Sequence, residues 1–464
     1  MMIINPHFCV KMHKTFFALT LVLLCSMINV TKADTAQSTD TDEMPIPCII
    51  NGKFGYCNND GSTAIEGKYD MVKPFHEGLA AVTLDGRCGY IDKTGKEIVH
   101  PGTPYYFECG NFSEGLAMVQ DDADKGYINK VGQVVIPLEY KFANDFHEGL
   151  AGVNASESLR GEYGFIDKTG KVIVPLKYDD GDDFHEGFAV VLVGRGKQAP
   201  AEYGFVNKVG KEIASPKYTR VLPFQEGLAK VEIDGKCGFI NETGVEIIPL
   251  IYQNAYSFQS GHALMQFNGK WGLIEKIGQD VLEPTYDYAR NFSEGLASVT
   301  LHDKWGFIDG VGKLVIPFKY DSAEDFSDGL AKAMIGGKWG FIDKTGKEVI
   351  PLKYDAEEVF TDGLAKVMIG GKWGFIDKTG REVVPPKYDS ADIYSEGLAE
   401  VSVDGKNGYV NSIGEMAIPL KYDKAGRFEN GLAEVVLDGK SGYVDHWGHE
   451  CLLEGKFSDD SGLD

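Results

Sequence analysis

The sequence predicts an all-β protein, a tandem array of about twelve three-stranded repeats of 34 residues. One glycine recurs every 34 residues, seven times in succession, from Gly204 to Gly442. Upstream it recurs from Gly55 at spacings of 34, 37, 38 and 40 residues. Glycine makes up 57 of the 464 residues, and the long apolar run is confined to residues 15–27. This composition is typical of many short strands joined by tight turns.

Each repeat contains three segments with the pattern of a strand, as residues 363–385 illustrate. In the first segment Ala365, Val367 and Ile369 alternate with variable residues, so we expect the column of Lys366 to face water. A Gly-containing turn, often Asp-Gly, leads into the second segment, KWGFID, and Asp-Gly is a strong hairpin signal. The turn Asp-Lys-Thr-Gly then leads into the third segment, which closes on proline. Because proline has no backbone donor, this strand should lie at a sheet edge or end there.

Two acidic columns recur, and both favour structural roles. The first residue of the Asp-Lys-Thr-Gly turn alternates between Asp and Asn, which fits a turn that needs a side-chain oxygen better than a calcium ladder. An active site is singular, so the carboxylate of the recurring EGLA motif is also predicted to be structural. It stands at Glu77, Glu114, Glu148, Glu186, Glu226, Glu294 and Glu396. The Tyr and Phe columns are predicted to pack between neighbouring repeats, since 34 residues cannot bury a core alone.

The order of the repeats favours an open, twisted β-superhelix, with one or two propeller-like rings as the alternative. Propeller blades usually carry four strands in about 40–45 residues, with four to eight blades in a ring. Twelve three-stranded repeats match that description poorly. The first repeat is also not split between the two ends of the chain, as closure by a shared blade would favour.

The amino-terminal residues have the pattern of a secretory signal peptide, residues 1–33. A basic start (Lys11 to Lys14), an apolar stretch over residues 15–27 and small residues up to Ala33 predict cleavage there. A membrane anchor is the alternative, although the apolar run is short of the ~20 residues that a span needs. We therefore expect no membrane span after cleavage, and a secreted, periplasmic or cell-envelope location. An acidic polar linker at 34–44, the repeat array at 45–457 and an acidic tail at 458–464 would follow.

Charge and cysteine content narrow the function classes further. The chain has a formal charge of −23, and −26 without residues 1–33, which argues against nucleic-acid binding. Six cysteines remain after cleavage, and four of them lie between Cys48 and Cys109. An exported protein can form disulfides, so these four suggest stapling of the amino-terminal end. The alternative is that they are small buried hydrophobic residues.

The repeat pattern W-G-F-I-D-x-x-G-x-x-V-I-P-x-x-Y-D, followed by F-x-x-G-L-A-x-V, resembles the WG-repeat family, also called KWG repeats. The match is best in the four repeats that contain Trp271, Trp305, Trp339 and Trp373. The other repeats depart from it, with Phe, Cys, Lys, Tyr, Asn or Ser at the tryptophan position. The resemblance implies a repeat scaffold, known mainly from bacteria and often from secreted or envelope proteins, with no general activity assigned to it.

No catalytic signature, cofactor motif or convincing metal motif is present in the sequence. There is no G-x-S-x-G, H-E-x-x-H, Walker or Rossmann pattern. The pair His446 and His449 could bind a transition metal, but it stands where other repeats have turn residues. The sequence therefore predicts that the protein is not an enzyme, has no cofactor and holds no metal.

The candidate binding residues are the four successive tryptophans. Because Lys125, Asn407 and Ser441 take the same position elsewhere, we expect this column to be at least half exposed. The exposed stripe would comprise Trp271, Trp305, Trp339 and Trp373, with Lys304, Lys338 and Lys372 at its rim. Such rows bind protein partners or sugar faces. The alternative is that each tryptophan packs on its neighbouring repeat.

The function that follows is a secreted or envelope repeat scaffold that mediates protein–protein interaction without catalysis. Binding of an envelope glycan or the cell wall through the aromatic stripe is the alternative. The sequence does not identify the partner.

Overall fold

The structure is a computed structural model that describes residues 44–102, 106–156, 161–194 and 200–452. The regular secondary structure of these residues consists of 47 β-strands. The predicted signal peptide, nearly all of the predicted linker and the predicted tail lie outside the described residues. No helix in the described part of the chain is long and apolar enough to cross a membrane.

The strands form twelve sheets that follow one another along the chain. Sheet 1 contains three strands, and each later sheet contains the next four strands in order, so that sheet 2 is β4–β7 and sheet 12 is β44–β47. The strands of sheets 1 to 6 are β1 (Ile46–Ile50), β2 (Lys53–Cys57), β3 (Thr63–Tyr69), β4 (Met71–Val72), β5 (Leu79–Leu84), β6 (Arg87–Asp92), β7 (Glu97–Val99), β8 (Glu108–Ser113), β9 (Leu116–Gln120), β10 (Lys125–Asn129), β11 (Val134–Tyr140), β12 (Phe142–Ala143), β13 (Leu150–Asn154), β14 (Tyr163–Asp167), β15 (Val172–Tyr178), β16 (Asp180–Gly181), β17 (Phe188–Val193), β18 (Glu202–Asn207), β19 (Glu212–Tyr218), β20 (Arg220–Val221), β21 (Leu228–Ile233), β22 (Lys236–Asn241) and β23 (Glu246–Tyr252). Those of sheets 7 to 12 are β24 (Asn254–Ala255), β25 (His262–Phe267), β26 (Lys270–Glu275), β27 (Asp280–Tyr286), β28 (Tyr288–Ser293), β29 (Leu296–Leu301), β30 (Lys304–Asp309), β31 (Leu314–Tyr320), β32 (Ser322–Ala323), β33 (Leu330–Ile335), β34 (Lys338–Asp343), β35 (Glu348–Tyr354), β36 (Ala356–Glu357), β37 (Leu364–Ile369), β38 (Lys372–Asp377), β39 (Glu382–Tyr388), β40 (Ser390–Ala391), β41 (Leu398–Val403), β42 (Lys406–Asn411), β43 (Met416–Tyr422), β44 (Lys424–Glu429), β45 (Leu432–Leu437), β46 (Lys440–Asp445) and β47 (Glu450–Leu452).

The described residues divide into two compact units. The central unit is Tyr106–Lys353, and the terminal unit combines the described residues of Met1–Tyr105 and Tyr354–Asp464. Sheets 3 to 9 belong to the central unit, apart from Tyr354 at the end of sheet 9. Sheets 1, 2 and 10 to 12 belong to the terminal unit.

The prediction of three strands per repeat is wrong, because eleven of the sheets contain a fourth strand. This strand opens the sheet, immediately after the Tyr-Asp pair, and we call it the first strand. In sheet 10 it is only Ala356–Glu357, paired antiparallel with Met368 and Val367. Two residues are too few to show an alternating pattern in the sequence.

The turn before the second strand of each sheet is a two-residue hairpin with two left-handed residues. In sheet 6, Gln225 and Leu228 exchange backbone hydrogen bonds of 2.9 and 3.2 Å across Glu226 and Gly227. The φ angles of these two central residues are 54° and 82°. Glycine adopts such angles freely, whereas glutamate does so at a cost. The recurrence of an acid at the first position therefore requires another reason, which its contacts supply.

The last strand of each sheet lies at an edge, as the proline column predicts. In sheet 8, proline stands inside β31, and the pairing with β30 shifts register between Trp305 and Ile308. This bulge brings the carbonyl oxygen of Ile316 to 2.6 Å from where a Cβ of Gly306 would lie. The recurring glycine is therefore needed for close backbone approach.

The hydrophobic core lies between successive sheets. One cluster joins side chains of sheet 10 (Leu364, Phe375, Val384 and Tyr388) to those of sheet 11 (Tyr394, Ala399, Val401 and Val410). The Tyr and Phe columns thus pack between neighbouring repeats, as predicted. Most of the column of Lys366, however, does not face water: Val190 and Leu264 in it are buried, and the Lys366 side chain is only 12% exposed. Both faces of these strands are covered by neighbouring sheets, so alternation does not identify a solvent face.

The first and last sheets are in contact within the terminal unit. The backbone N–H of Ile49 donates to Oδ2 of the buried Asp445 at 3.1 Å. The rings of Phe54 and Tyr443 also meet edge to face, with centroids 6.1 Å apart. An open superhelix would hold its two ends apart, so the preferred prediction of an open array is wrong. This contact between the first and last repeats fits the predicted alternative, one or two propeller-like rings.

The amino-terminal cysteines are disulfide-bonded, as their clustering suggests. Cys48 and Cys57 join β1 to β2. Cys88 and Cys109 also take part in disulfide bonds, whereas Cys237 is a buried free thiol. The stapling is thus confined to the beginning of the array.

Candidate functional site

The recurring carboxylate of the EGLA turn joins one repeat to the next. Glu226 accepts hydrogen bonds from the backbone N–H groups of Ser260 (2.6 Å) and Gly261 (2.9 Å), which form the matching turn of sheet 7. Lys276 of the same sheet adds an ion pair of 3.1 Å. Glu294 repeats the arrangement with Gly329 (3.0 Å) and Lys344 (3.1 Å). These contacts explain why an acid with enough reach is kept at a left-handed position, and they support the structural role predicted for the column.

We expect Glu226→Gln to lower the free energy of unfolding by about 1 kcal/mol at pH 7, because the charge-assisted bonds become neutral ones. Burial raises the pKa of Glu226, but the bonds from Gly261, Lys276 and Ser260 outweigh it and lower that pKa overall. The stabilisation is therefore present above the ordinary glutamate pKa and is lost as the pH falls through the lowered value. Chemical denaturation at pH 7 and below pH 3 checks this, with Glu186→Gln as control. Glu186 occupies the matching turn without such a bond among the described residues. Equal effects of the two substitutions would contradict the assignment.

The aspartate of the Asp-Lys-Thr-Gly turn acts as a backbone acceptor. In sheet 9, Oδ1 of Asp343 accepts from the backbone N–H groups of Thr345 (2.9 Å) and Lys347 (3.1 Å), and from Thr345 Oγ1 (2.6 Å). Asn411 makes the corresponding contact with Glu415 N–H at 2.9 Å. A side-chain oxygen suffices, which supports the turn role over the calcium ladder. Within the described residues, no group of three or more His, Cys, Asp or Glu side chains could hold a metal ion.

Two of the lysines predicted to rim the stripe form structural ion pairs. Lys304 donates to Oδ1 of Asp321 at 2.5 Å, while Oδ2 of this aspartate accepts from the N–H of Gly336 at 2.7 Å. Lys372 pairs in the same way with Asp389. Lys338 occupies the equivalent position in sheet 9 and is exposed. Asp321 thus links Lys304 to the hairpin turn of the next sheet.

The expectation that the tryptophan column is at least half exposed is wrong. Trp271 is only 3% exposed, packs among Leu264 and Leu273, and stacks on Tyr256 with centroids 5.3 Å apart. Trp305, Trp339 and Trp373 are partly buried. Neighbouring side chains, which differ from repeat to repeat, decide how far each ring is covered. The packing alternative therefore describes Trp271 well, and the four rings do not form a uniformly exposed stripe.

Each partly buried tryptophan ends a row of side chains that crosses one face of its sheet. In sheet 9, Nζ of Lys332 lies 3.0 Å from Glu324 and 5.6 Å from the centroid of Trp339. In sheet 10 the row is Glu358, Lys366 and Trp373, with Lys366 Nζ 4.7 Å from the ring centroid. The lysine is thus held between an acid and an aromatic face, which stabilises it in a half-buried position.

Sheet 11 breaks this pattern, because its row reads Asp392, Glu400 and Asn407. Arg427 of sheet 12 binds Asp392 with two bonds of 2.5 and 2.7 Å, and Glu400 has no such counter-ion among the described residues. The pKa of Glu400 is raised to about 7, mainly by burial and also by the negative charge of Asp392. The positive charges of Arg427 and Lys366 act to lower it. Near neutral pH the carboxyl is therefore poised between its two protonation states.

We expect Glu400→Gln to stabilise the protein at pH 8 by about 1–2 kcal/mol and to have little effect at pH 4. A raised pKa means that the folded chain binds the proton more tightly than the unfolded chain. Stability is therefore lost as the pH rises from about 4.5 to about 7. Thermal melting of both proteins at the two pH values measures the difference. Glu434→Gln, at the exposed equivalent in sheet 12, is the control, and a benefit for Glu400→Gln at pH 4 as large as at pH 8 would contradict the prediction.

The four residues between the Tyr-Asp pair and the Phe column form a further set of positions, which was not predicted from the sequence. These variable segments differ in every repeat, for example Asp180–Asp183 (DGDD), Tyr288–Asn291 (YARN) and Ser322–Asp325 (SAED). They contain the two-residue first strands of eight sheets and the beginning of the six-residue first strands of the other three. A column-by-column comparison of the repeats could have found them, because variation stands out beside the constant scaffold. They are 71–74, 108–111, 142–145, 180–183, 220–223, 254–257, 288–291, 322–325, 356–359, 390–393 and 424–427.

Comparison with known sequences identifies the repeat. A family model described as "WG containing repeat" matches eleven consecutive segments, which together cover most of the chain. The segments are 54–88, 89–123, 126–155, 163–197, 203–237, 238–271, 271–305, 305–339, 339–373, 373–406 and 408–440. No curated relative matches the chain in sequence.

Solved structures resemble the chain only distantly. A eukaryotic initiation factor is 13% identical, with a TM-score of 0.33 over 66% of this chain and 94% of the other. Kluyveromyces lactis Hsv2p is 11% identical, with a TM-score of 0.26 over 44% and 75%. PorZ of Porphyromonas gingivalis, described as a surface component of the type-IX secretion system, is 12% identical, with a TM-score of 0.23 over 84% and 59%. At these scores none of them bears on function.

Proposed function

Since this chain belongs to the WG-repeat family, we propose that it is a non-catalytic scaffold that binds protein partners through its variable segments. The observation that carries the proposal is a division of labour within the repeat. The recurring Glu, Asp and Lys side chains bind one another and the backbone of their own or the next repeat. Variation is concentrated on the first strands, which is where recognition can differ without disturbing the scaffold.

The variable segments offer different chemistry in different repeats. Asp180, Asp182 and Asp183 make the segment of sheet 5 acidic, whereas that of sheet 12 begins with the basic Lys424. A surface of this kind can bind an extended partner at several separate points, which suits a scaffold better than an active site. Because the recurring carboxylates are held in structural contacts, they do not supply a general base or nucleophile.

The proposed location is outside the cytoplasm, in the envelope or secreted. The signal-like residues 1–33 and the disulfide between Cys48 and Cys57 support it. Amino-terminal sequencing of the exported protein tests it: a chain that begins at Asp34 is expected, and a chain that retains Met1 or Met12 would contradict export by cleavage.

The binding proposal is tested by pull-down from envelope extract with the full mature chain. A stoichiometric protein partner is expected. Exchanging the segments 180–183 and 322–325 for one another should weaken its recovery. Val209→Thr, which changes an 80% exposed turn residue to one that other repeats use, should leave recovery unchanged. Failure to recover any protein, or recovery that is indifferent to the segment exchange, would contradict the proposal.

A further inference from the structure

Sheets 8 and 9 carry a group of aromatic and charged side chains beyond those that hold the repeats together. We propose that Tyr288, Trp305, Arg290 and Asp325 form a binding site for a neutral saccharide. This function is additional to the binding of protein partners.

The aromatic part of the site is a ring exposed to solvent and supported from beneath. Tyr288 is 45% exposed and meets the partly buried Trp305 at a centroid distance of 5.7 Å and an interplanar angle of 71°. The neighbouring Tyr256 stacks on Trp271 and donates its hydroxyl to the carbonyl of Ala289 at 3.3 Å. Tyr288 thus projects from a fixed aromatic base. In the equivalent position of sheets 9 and 11 stands a serine.

The polar part of the site contains a guanidinium without an ion pair. Arg290 lies over Trp305, with its central carbon 4.9 Å from the ring centroid, and forms no ion pair with the residues that the structure describes. The lysines of the next two sheets, by contrast, are both paired with a glutamate.

Asp325 of sheet 9 supplies an acceptor beside this guanidinium. Its Oδ1 accepts a hydrogen bond of 3.0 Å from the buried Ser298 of sheet 8. Desolvation raises the pKa of Asp325, while Ser298 and the positive charge of Arg290 act to lower it. The site therefore combines fixed donors, a fixed acceptor and an aromatic surface.

This combination favours a neutral polyhydroxyl ligand over a charged one. A ligand carboxylate would be attracted by Arg290 and repelled by Asp325. A ligand ammonium group would be attracted by Asp325 and repelled by Arg290. Sugar hydroxyls both donate and accept, so they can satisfy the two groups together. The apolar face of a pyranose can pack on the Tyr288 ring. The negative charge of the chain disfavours polyanionic glycans in particular.

Isothermal titration calorimetry of the full mature chain with chitohexaose, cellohexaose and mannohexaose tests the proposal. A galacturonate hexamer serves as the anionic comparison ligand. We expect one of the neutral hexasaccharides to bind and to change the tryptophan fluorescence. Tyr288→Ser and Arg290→Gln should each weaken this binding about tenfold. Arg220→Ser, at the exposed position in sheet 6 that corresponds to Tyr288, should leave it unchanged.

Binding that survives both substitutions would place the saccharide elsewhere and overturn the site. The absence of binding by all three neutral hexasaccharides, or a preference for the galacturonate, would overturn the ligand class. A protein partner that is lost with Tyr288→Ser while no saccharide binds would also overturn this inference and leave the scaffold function standing. Tyr288→Ser uses a residue already present in the matching strand, so its folding can be verified by thermal melting before titration.

Discussion

Replacing Gly306 by alanine is expected to lower the free energy of unfolding of its part of the array by about 3 kcal/mol. The added Cβ would lie 2.6 Å from the carbonyl oxygen of Ile316 and 3.0 Å from a ring carbon of Phe318. The first neighbour is backbone, held in place by the pairing of β30 with β31, so it cannot move aside without disrupting the strand. Hydrogen exchange resolved to sheet 8, together with chemical denaturation, measures the effect.

Gly310→Ala provides the matched control four residues away in the same sheet. A Cβ at Gly310 would have no atom within 4 Å, and its backbone does not require a left-handed angle. Alanine there should be neutral or slightly stabilising, because it restricts the unfolded chain. If the two substitutions had similar effects, the close approach at the bulge would not be the reason for the recurring glycine.

Trp271→Ser is expected to reduce the free energy of unfolding by about 3–5 kcal/mol, the usual consequence of truncating a large buried aromatic side chain. Trp271 is 3% exposed and loses its stacking with Tyr256 as well as its contacts with Leu264 and Leu273. Serine is a fair replacement, since Ser441 occupies the same position in sheet 12. Thermal melting and denaturant titration both measure this difference.

Trp339→Ser supplies the comparison and should reduce the free energy of unfolding by about 1–2 kcal/mol. Its ring is partly buried and contacts Lys332, which keeps its ion pair with Glu324 after the substitution. Equal losses for the two tryptophans would mean that the column is uniformly buried. Negligible losses for both would restore the exposed stripe that the sequence predicts.

The parts of the fold that depend on short-range chemistry could be predicted from the sequence. The Asp-Lys-Thr-Gly turn depends on one side-chain oxygen and one glycine, and the structure contains it as predicted at Asp343. The proline column places the last strand at a sheet edge for the same kind of reason, the missing backbone donor. The family pattern could also be recognised, because the repeats themselves act as an alignment.

The remaining features depend on neighbours that no single repeat contains. Most of the first strands, such as Ser322–Ala323, have only two residues, too few to show an alternating pattern. The burial of Trp271 depends on Tyr256 and Leu264, which other repeats replace. The contact between Ile49 and Asp445 joins residues almost 400 positions apart, so a comparison of repeat with repeat does not reveal it.

The central claim is that constant residues build the array and variable segments bind the partner. Hydrogen exchange of the mature chain, alone and with the protein recovered from envelope extract, tests it most directly. We expect new protection to be concentrated on the variable segments, including 180–183, 322–325 and 424–427. Protection confined to the constant Asp-Lys-Thr-Gly and EGLA turns, with the variable segments unchanged, would contradict it.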